Sequence, residues 1–292
     1  MDRPVSRDYR YEWSVLIAVS VGTFLNALDV SILTVGLPAL TIVFKTDSSV
    51  IGWVNIAYLI TSQSLMFTLA RIGDASGRKM MYSACLALYT VGLLLCSLSR
   101  NVPDLIAARA IQGVGGAGVI SLSTAIGAAV FPEEERGKAL GILTSVSAIG
   151  LIAGPLVGGV ILDLLGWRAI FYTRLPVGIL GIIMAWVMVR EQREPVALHF
   201  DLGGAMSLFG CLTSMLLFFS LVGKQGFFST SNLLLAGSTV LLLGMFLLFE
   251  AKAAQPIIDL GLFRNPVLAG AAAAGTVHAT VLAGSIFLLP FY

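Results

Sequence analysis

Residues 103–122 read PDLIAARAIQGVGGAGVISL. Within them Gly113-Val114-Gly115-Gly116-Ala117-Gly118 satisfies the G-x-G-x-x-G pattern of dinucleotide-binding folds. That fingerprint needs a strand before it and a helix after it, whereas these glycines sit inside an apolar run long enough to cross a bilayer. They read instead as a smooth helix surface that lets neighbouring backbones approach closely. At helical spacing Arg109, Gln112, Gly113 and Gly116 share one face, so a charge, an amide and a glycine surface point the same way. An arginine in a span costs at least about 2.5–3.5 kcal/mol on insertion scales, so Arg109 should face an internal cavity or a partner. The alternative is snorkelling to the outer interface, since Pro103 lies only about 9 Å away along the helix.

The same kind of run recurs along the chain. Hydrophobic residues make up 57% of the sequence and charged residues 12%, against roughly 45–50% and about 25% in soluble domains. A bilayer core needs about 20 apolar residues per helix. Nine runs meet that need, near 14–37, 51–70, 80–98, 103–122, 138–162, 170–189, 203–222, 232–249 and 266–289. They are too long and too continuously apolar for barrel strands, which alternate over roughly 10 residues. The expected fold class is an all-α membrane protein. The first run outlasts a signal-peptide core and ends in Gly36-Leu37-Pro38, not at a small-residue cleavage site, so it should stay as a span. A formal charge of +2, spread over loops, gives no footprint for nucleic acid. Cys85 and Cys96 share a helix about 16 Å apart and Cys211 lies on another, so no disulfide framework, metal site or cofactor is expected. His278, well inside the ninth run, reads as a hydrogen-bonded packing histidine, with a titrating group as the alternative.

With the N-terminus inside, twelve of the 18 Lys and Arg residues fall on the cytoplasmic side. Five fall outside, namely Lys45, Arg100, Arg168, Arg174 and Lys224, and Arg109 lies within a span. This bias fixes the orientation by the positive-inside rule. The longest polar stretch, Arg190 to Asp201, follows the sixth run and reads as the seam after a six-helix unit. The chain stops at Leu289-Pro290-Phe291-Tyr292, at the far end of the ninth run, and reads as cut off.

Several polar groups interrupt these spans. Asp29 is the acid well inside a span, and with Gly22 and Asn26 it forms an i, i+4, i+7 stripe on helix 1. Its depth is close to that of Arg109, which makes the two natural partners. Movement between two environments would let Asp29 load and release a proton; a fixed structural ion pair is the alternative. Asn55, Tyr58 and Ser62 give helix 2 a polar stripe that could line the same cavity or hydrogen-bond between helices. In helix 5, Gly150, Gly154 and Gly158 recur every four residues beside Pro155 and Gly159. That stripe permits close helix contact, and Pro155 removes a backbone donor and bends the helix. Between helices 2 and 3, Ala70-Arg71-Ile72-Gly73-Asp74-Ala75-Ser76-Gly77-Arg78-Lys79 reads as a tight turn carrying charges at the cytoplasmic surface.

Together these elements resemble the major facilitator superfamily, and within it the fourteen-span drug:proton antiporters. The loop matches the G-x-L-x-D-R-x-G-R-K signature at Asp74, Gly77, Arg78 and Lys79, departing at Ala70 and Ala75. Leu105 to Ala117 fits the helix 4 pattern whose arginine is associated with proton coupling. Gly150 to Gly159 spells G-x-x-x-G-P-x-x-G-G, the helix 5 signature of antiporters. Asp29 to Pro38 is similar to the helix 1 motif of the fourteen-span group, with Ser31 and Thr34 in place of threonine and asparagine. The resemblance implies an N-terminal six-helix bundle over 1–190, a seam with two extra linker helices over 191–265, and over 266–292 the first helix of a C-terminal bundle that is missing.

It further implies a proton-coupled antiporter in the inner (plasma) membrane that exports drugs or other small organic compounds. Asp29 and Arg109 would carry the coupling, and Asn26, Asn55, Tyr58, Gln112 and Gly113 would line the substrate cavity. Gly73, Asp74, Gly77, Arg78 and Lys79 would form the gating loop, and Gly150, Gly154, Pro155, Gly158 and Gly159 the helix 5 hinge and seal. Expected partners are the solute, protons, the lipid bilayer and, by the same resemblance, a periplasmic adaptor with an outer-membrane channel. The rivals are a transporter for another solute, such as a metabolite or siderophore, and a non-transporting membrane sensor or scaffold. An enzyme is disfavoured, because no nucleophile–base constellation or folded loop is present.

Overall fold

The computed structural model describes residues 9–191, 201–253 and 260–288. Its long helices are α1 (Tyr9–Phe44), α2 (Trp53–Ser76), α3 (Arg78–Leu98), α4 (Val102–Val130), α5 (Arg136–Leu165), α6 (Leu175–Met188), α7 (Leu202–Gln225), α8 (Thr230–Lys252) and α9 (Pro266–Leu288). Eight segments, the sixth counted from Ala169 to Met188, are long and apolar enough to cross a membrane. In α9 the apolar stretch whose side chains are described runs over Pro266–Val277. No strand occurs among the described residues.

Local chemistry sets the helix ends. Asn101 Oδ1 accepts from the Asp104 N–H at 2.8 Å and starts α4, Asp201 Oδ1 accepts from the Gly204 N–H at 2.8 Å and starts α7, and Ser229 Oγ accepts from the Asn232 N–H at 3.3 Å and starts α8. Each satisfies a donor that the first turn leaves without a helical partner.

Three expected boundaries are corrected. Helix α1 does not stop at Leu37 but continues through Pro38 to Phe44. A proline in a membrane helix removes one donor yet leaves the rest of the ladder intact. At 36 residues α1 is about 54 Å long, more than the bilayer core requires. The ten-residue loop expected over 70–79 is reduced to a single residue, because polar side chains at a helix end do not break a helix. Gly77 does, at φ 113° and ψ 119°, a backbone that other residues rarely adopt. The sixth span, expected as one run over 170–189, is a short turn, Ala169–Tyr172, followed by α6. Pro176 lies in the first turn of α6, where its missing N–H costs nothing.

Six spans pack as one unit. Helix α4 runs between α2 and α3, α5 packs along α1, and α6 packs against α1 and α3. Helices α7 and α8 pair with each other, and α7 also rests on α2. The core is Leu, Ile, Val and Tyr from α1 to α4, including Leu16, Ile32, Tyr82, Tyr89 and Leu105. Large apolar side chains such as Ile152, Leu156, Leu164, Val187 and Val240 remain exposed on the outer faces of α5, α6 and α8. In a water-soluble protein such a surface would be an association site; on helices of this length it is what lipid solvates. Along α9 the described side chains are exposed, Ala269 being half-buried.

The glycine-rich stretch of α4 is packed on two sides. A Cβ at Gly113 or Gly116 would strike α2, at Tyr58 and Thr61, and one at Gly115 or Gly118 would strike α3, at Cys85 and Tyr89. Dense helix contact on both sides leaves no room for a nucleotide.

The N-terminal residues 1–8 and most of the seam, 192–200, lie outside the described residues, as do 254–259 and 289–292. The side chain of His278 is also outside them.

Candidate functional site

The chain concentrates charge at one place in the bundle. Arg109 on α4 and Asp29 on α1 are fully buried, and Arg109 Nη1 donates to Asp29 Oδ2 at 2.6 Å. The snorkelling alternative for Arg109 is thereby excluded. The same Nη1 donates to Gln112 Oε1 at 2.7 Å, one turn further along α4, and Nε donates to the Val54 carbonyl of α2 at 3.3 Å. The guanidinium carbon lies 4.3 Å from the centre of the Tyr58 ring, a stacked cation–π geometry. Tyr58 Oη in turn accepts from Asn26 Nδ2 at 2.7 Å. Helices α1, α2 and α4 are thus joined through one charge.

A second arginine enters where none was expected. Arg174, read from sequence as an outer-loop charge, is buried, and its Nη1 donates to Asp29 Oδ1. It sits at the break between the Ala169–Tyr172 turn and α6, with Nε donating to the Ile170 carbonyl at 2.8 Å. Two guanidiniums therefore share one carboxylate, and with Asp29 ionised the cluster carries a net positive charge. Arg109 Nη2, Arg174 Nη2 and Gln112 Nε2 are buried with no hydrogen-bond partner among the described residues. The signal that could have exposed Arg174 was its neighbour: Pro176 marks a helix start, and the residues just before such a start can turn into the bundle instead of into water.

The expected cavity residues separate. Asn26 lines a cavity of about 450 Å³ between α1, α4 and α5, whose polar wall also holds Thr23, Ser123, Thr124, Thr144 and Ser147. Tyr58, Gln112 and Gly113 do not line that cavity; Tyr58 and Gln112 are packed around Arg109, because a buried guanidinium recruits the nearest acceptors and π-face, and Gly113 lies against Thr61 and the Tyr58 carbonyl. Asn55 lies on α2 with a buried Oδ1 that has no hydrogen-bond partner among the described residues, and it does not line that cavity either.

Next to this cavity along α5, Gly150, Gly154 and Gly158 face α1 directly. A Cβ at Gly150 would lie 2.9 Å from Ala27 Cβ and from the Phe24 carbonyl, and one at Gly154 would lie 2.8 Å from the Ile32 nitrogen. Ser31 Oγ lies 3.2 Å from the Gly150 carbonyl, a hydrogen bond between the two helices. Gly159 meets nothing within 4 Å, and Pro155 points outward.

At the break between α2 and α3, Arg78 Nε pairs with Asp74 Oδ1 at 2.8 Å across Gly77. Glu191, which the sequence did not single out, accepts from the Lys79 and Met80 N–H groups at 3.3 Å each. A carboxylate there complements the positive end of α3 and ties it to the end of the sixth span. Gly73 packs beneath, against Leu122. Lys79 Nζ lies 5.2 Å from the Trp186 ring centre.

Against this geometry, the family profile described as Major Facilitator Superfamily matches residues 19–292. The chain is 33% identical over 288 residues to the riboflavin transporter RibZ of Clostridioides difficile, covering 97% of this chain and 61% of that protein. It is 33% identical over 258 residues to the multidrug resistance protein Stp of Mycobacterium tuberculosis, covering 88% of this chain and 48% of that one. It thus spans about half to three fifths of the length of these relatives. Among solved structures, a bacterial homolog of the human lysosomal transporter Spinster, inward-facing and occupied, superposes with a TM-score of 0.56 at 20% identity, over 86% of this chain and 64% of that one.

Proposed function

The chain belongs to the Major Facilitator Superfamily, and from that premise we propose that it is the N-terminal portion of a fourteen-span antiporter that exchanges entering protons for an exported drug or other small organic compound. The family is one of transporters, so an enzymatic reading is set aside with it. The protein is a multi-pass membrane protein; the Lys/Arg bias supports a cytoplasmic N-terminus, and the family resemblance supports a place in the inner membrane. That bias strengthens once Arg174 leaves the outer count for the core.

The observation that carries the reading is the fully buried Asp29 carboxylate held by Arg109 and Arg174. While Asp29 is ionised, the bundle holds one excess positive charge; once Asp29 takes up a proton, it holds two unpaired guanidiniums in a dry interior. That state is costly, and opening the cluster to water relieves it. Proton uptake and bundle rearrangement are thereby coupled, and rocking of two bundles about a shared site would complete the exchange. Under this reading the α1–α5 glycine seam is the helix 5 hinge and seal, and Asp74, Arg78, Lys79 and Glu191 latch the cytoplasmic side. Residues 1–190 form the first bundle, 191–265 the seam and linker helices, and 266–292 the start of a second bundle, which the exposed side chains of α9 support.

The test is substrate-induced proton release in proteoliposomes of the full-length protein. Asp29→Asn should abolish the signal, and a wild-type-sized signal in that variant would show that Asp29 does not couple. A second reading, export of a metabolite instead of drugs, is favoured by the resemblance to a riboflavin transporter and by the uncharged lining of the cavity.

A further inference from the structure

The cavity between α1, α4 and α5 has a particular chemistry. Its polar wall is made of the hydroxyls of Thr23, Ser123, Thr124, Thr144 and Ser147 and the amide of Asn26, among apolar contacts such as Ala27 and Leu143. No Asp, Glu, Lys, Arg or aromatic residue is among the described residues that line it. A hydroxyl has one hydrogen to give and two lone pairs to receive with, and four of the five wall hydroxyls, all but Ser147, have an acceptor within their own helix. Thr23 donates to the Val19 carbonyl at 3.1 Å, Ser123 to Val119 at 2.6 Å, Thr124 to Ile120 at 3.1 Å and Thr144 to Leu140 at 2.9 Å. Asn26 commits one N–H to Tyr58, which leaves its Oδ1 as an acceptor and its second N–H as a donor. The wall therefore offers six accepting oxygens to whatever enters and, among the described residues, only two free donors, the Ser147 hydroxyl and the second Asn26 N–H.

Charge acts on the same space. Asn26 stands one helical turn from Asp29, whose two arginines outnumber it. A cation in the cavity meets no carboxylate and no aromatic face, and it approaches a cluster of net positive charge. An anion is drawn by that charge but meets a wall of oxygen lone pairs. A neutral solute bearing several O–H or N–H groups satisfies the wall and is indifferent to the cluster.

We infer that this cavity selects uncharged, donor-rich solutes, such as glycosides and other polyhydroxylated compounds, over lipophilic cations and over anions. The inference rests on the efflux reading and specifies its solute class. It is tested with the full-length protein in proteoliposomes under an imposed pH gradient, using methylumbelliferyl glucoside, the matching glucuronide and ethidium as neutral, anionic and cationic probes, with transported probe quantified by mass spectrometry. The glucoside should move at least about tenfold more efficiently than the other two, each tenfold being about 1.4 kcal/mol of discrimination. Thr144→Val and Thr124→Val, which remove an accepting oxygen and keep the shape, should each raise the glucoside KM about fivefold, the loss of one ordinary hydrogen bond. Thr144→Ser, which restores the hydroxyl, should return it towards the wild-type value. Ethidium export equal to or above glucoside export overturns the solute class while leaving proton-driven efflux standing. Valine variants that transport the glucoside with wild-type KM overturn the role of the wall oxygens. Movement of none of the three probes, together with no glucoside-induced rise in thermal stability, overturns both the class and the efflux reading beneath it.

Discussion

Replacing Asp29 by asparagine should destabilise the bundle more than removing either arginine that faces it. The carboxylate offers one oxygen to Arg109 and the other to Arg174. An amide keeps one accepting oxygen and turns an N–H towards the second guanidinium, so the net charge of the cluster rises by one and at least one arginine loses its acceptor. Breaking a buried pair from one side costs about 3–5 kcal/mol. Arg174→Gln is different in kind, because it leaves the Asp29–Arg109 pair intact and electrically balanced, and removes one hydrogen bond to a charged group, about 1.5–3 kcal/mol. With roughly 2–4 °C of melting temperature per kcal/mol in a protein of this size, Asp29→Asn should lower the unfolding midpoint on the order of 10 °C and Arg174→Gln about half as much. The pairwise combination of Asp29→Asn with Arg109→Gln should not recover, since Arg174 stays buried and unpaired; adding Arg174→Gln should recover most of the loss. Thermal unfolding of the detergent-solubilised variants, followed by tryptophan fluorescence, reads these differences. If Asp29→Asn unfolds at the wild-type temperature, or the double variant recovers without the third change, Arg174 is not a partner of the carboxylate and the charge account is wrong.

The glycine seam gives a contrast within one motif: Gly154→Ala places a methyl against Ser31 and the Ile32 backbone and should cost about 1–3 kcal/mol, whereas Gly159→Ala, with nothing within 4 Å, should be close to neutral in the same unfolding assay. Gly77→Ala should cost about 1–3 kcal/mol for its positive φ, with a further penalty from the contact its Cβ would make with Glu191; a variant as stable as wild type would show that the α2–α3 break tolerates other backbones. For orientation, cysteine at Glu134, an exposed position between α4 and α5, should resist an impermeant thiol reagent in intact cells, while cysteine at Phe228, exposed between α7 and α8, should react. The opposite pattern would invert the topology.

The sequence by itself determined the helical, membrane-embedded architecture, because hydropathy over about 20 residues measures the transfer of a segment into lipid, and that is a local property. It also determined that the glycines at 113–118 are a packing surface and that Asp29 and Arg109 seek each other, since unpaired charge in a span has few places to go. Helix ends were less legible: the fourth run, expected to end at 122, continues as α4 to Val130, and Gly77 alone separates α2 from α3. Only the tertiary structure decided that Arg174, 145 residues from Asp29, folds inward to share its carboxylate, that Tyr58 stacks on Arg109 while Asn26 reaches the cavity, and which hydroxyls of α1, α4 and α5 form its wall. Those outcomes depend on how each helix is rotated about its axis and on where a broken helix re-enters the bundle. Both are fixed by packing among distant segments, of which a local pattern of residues carries no record.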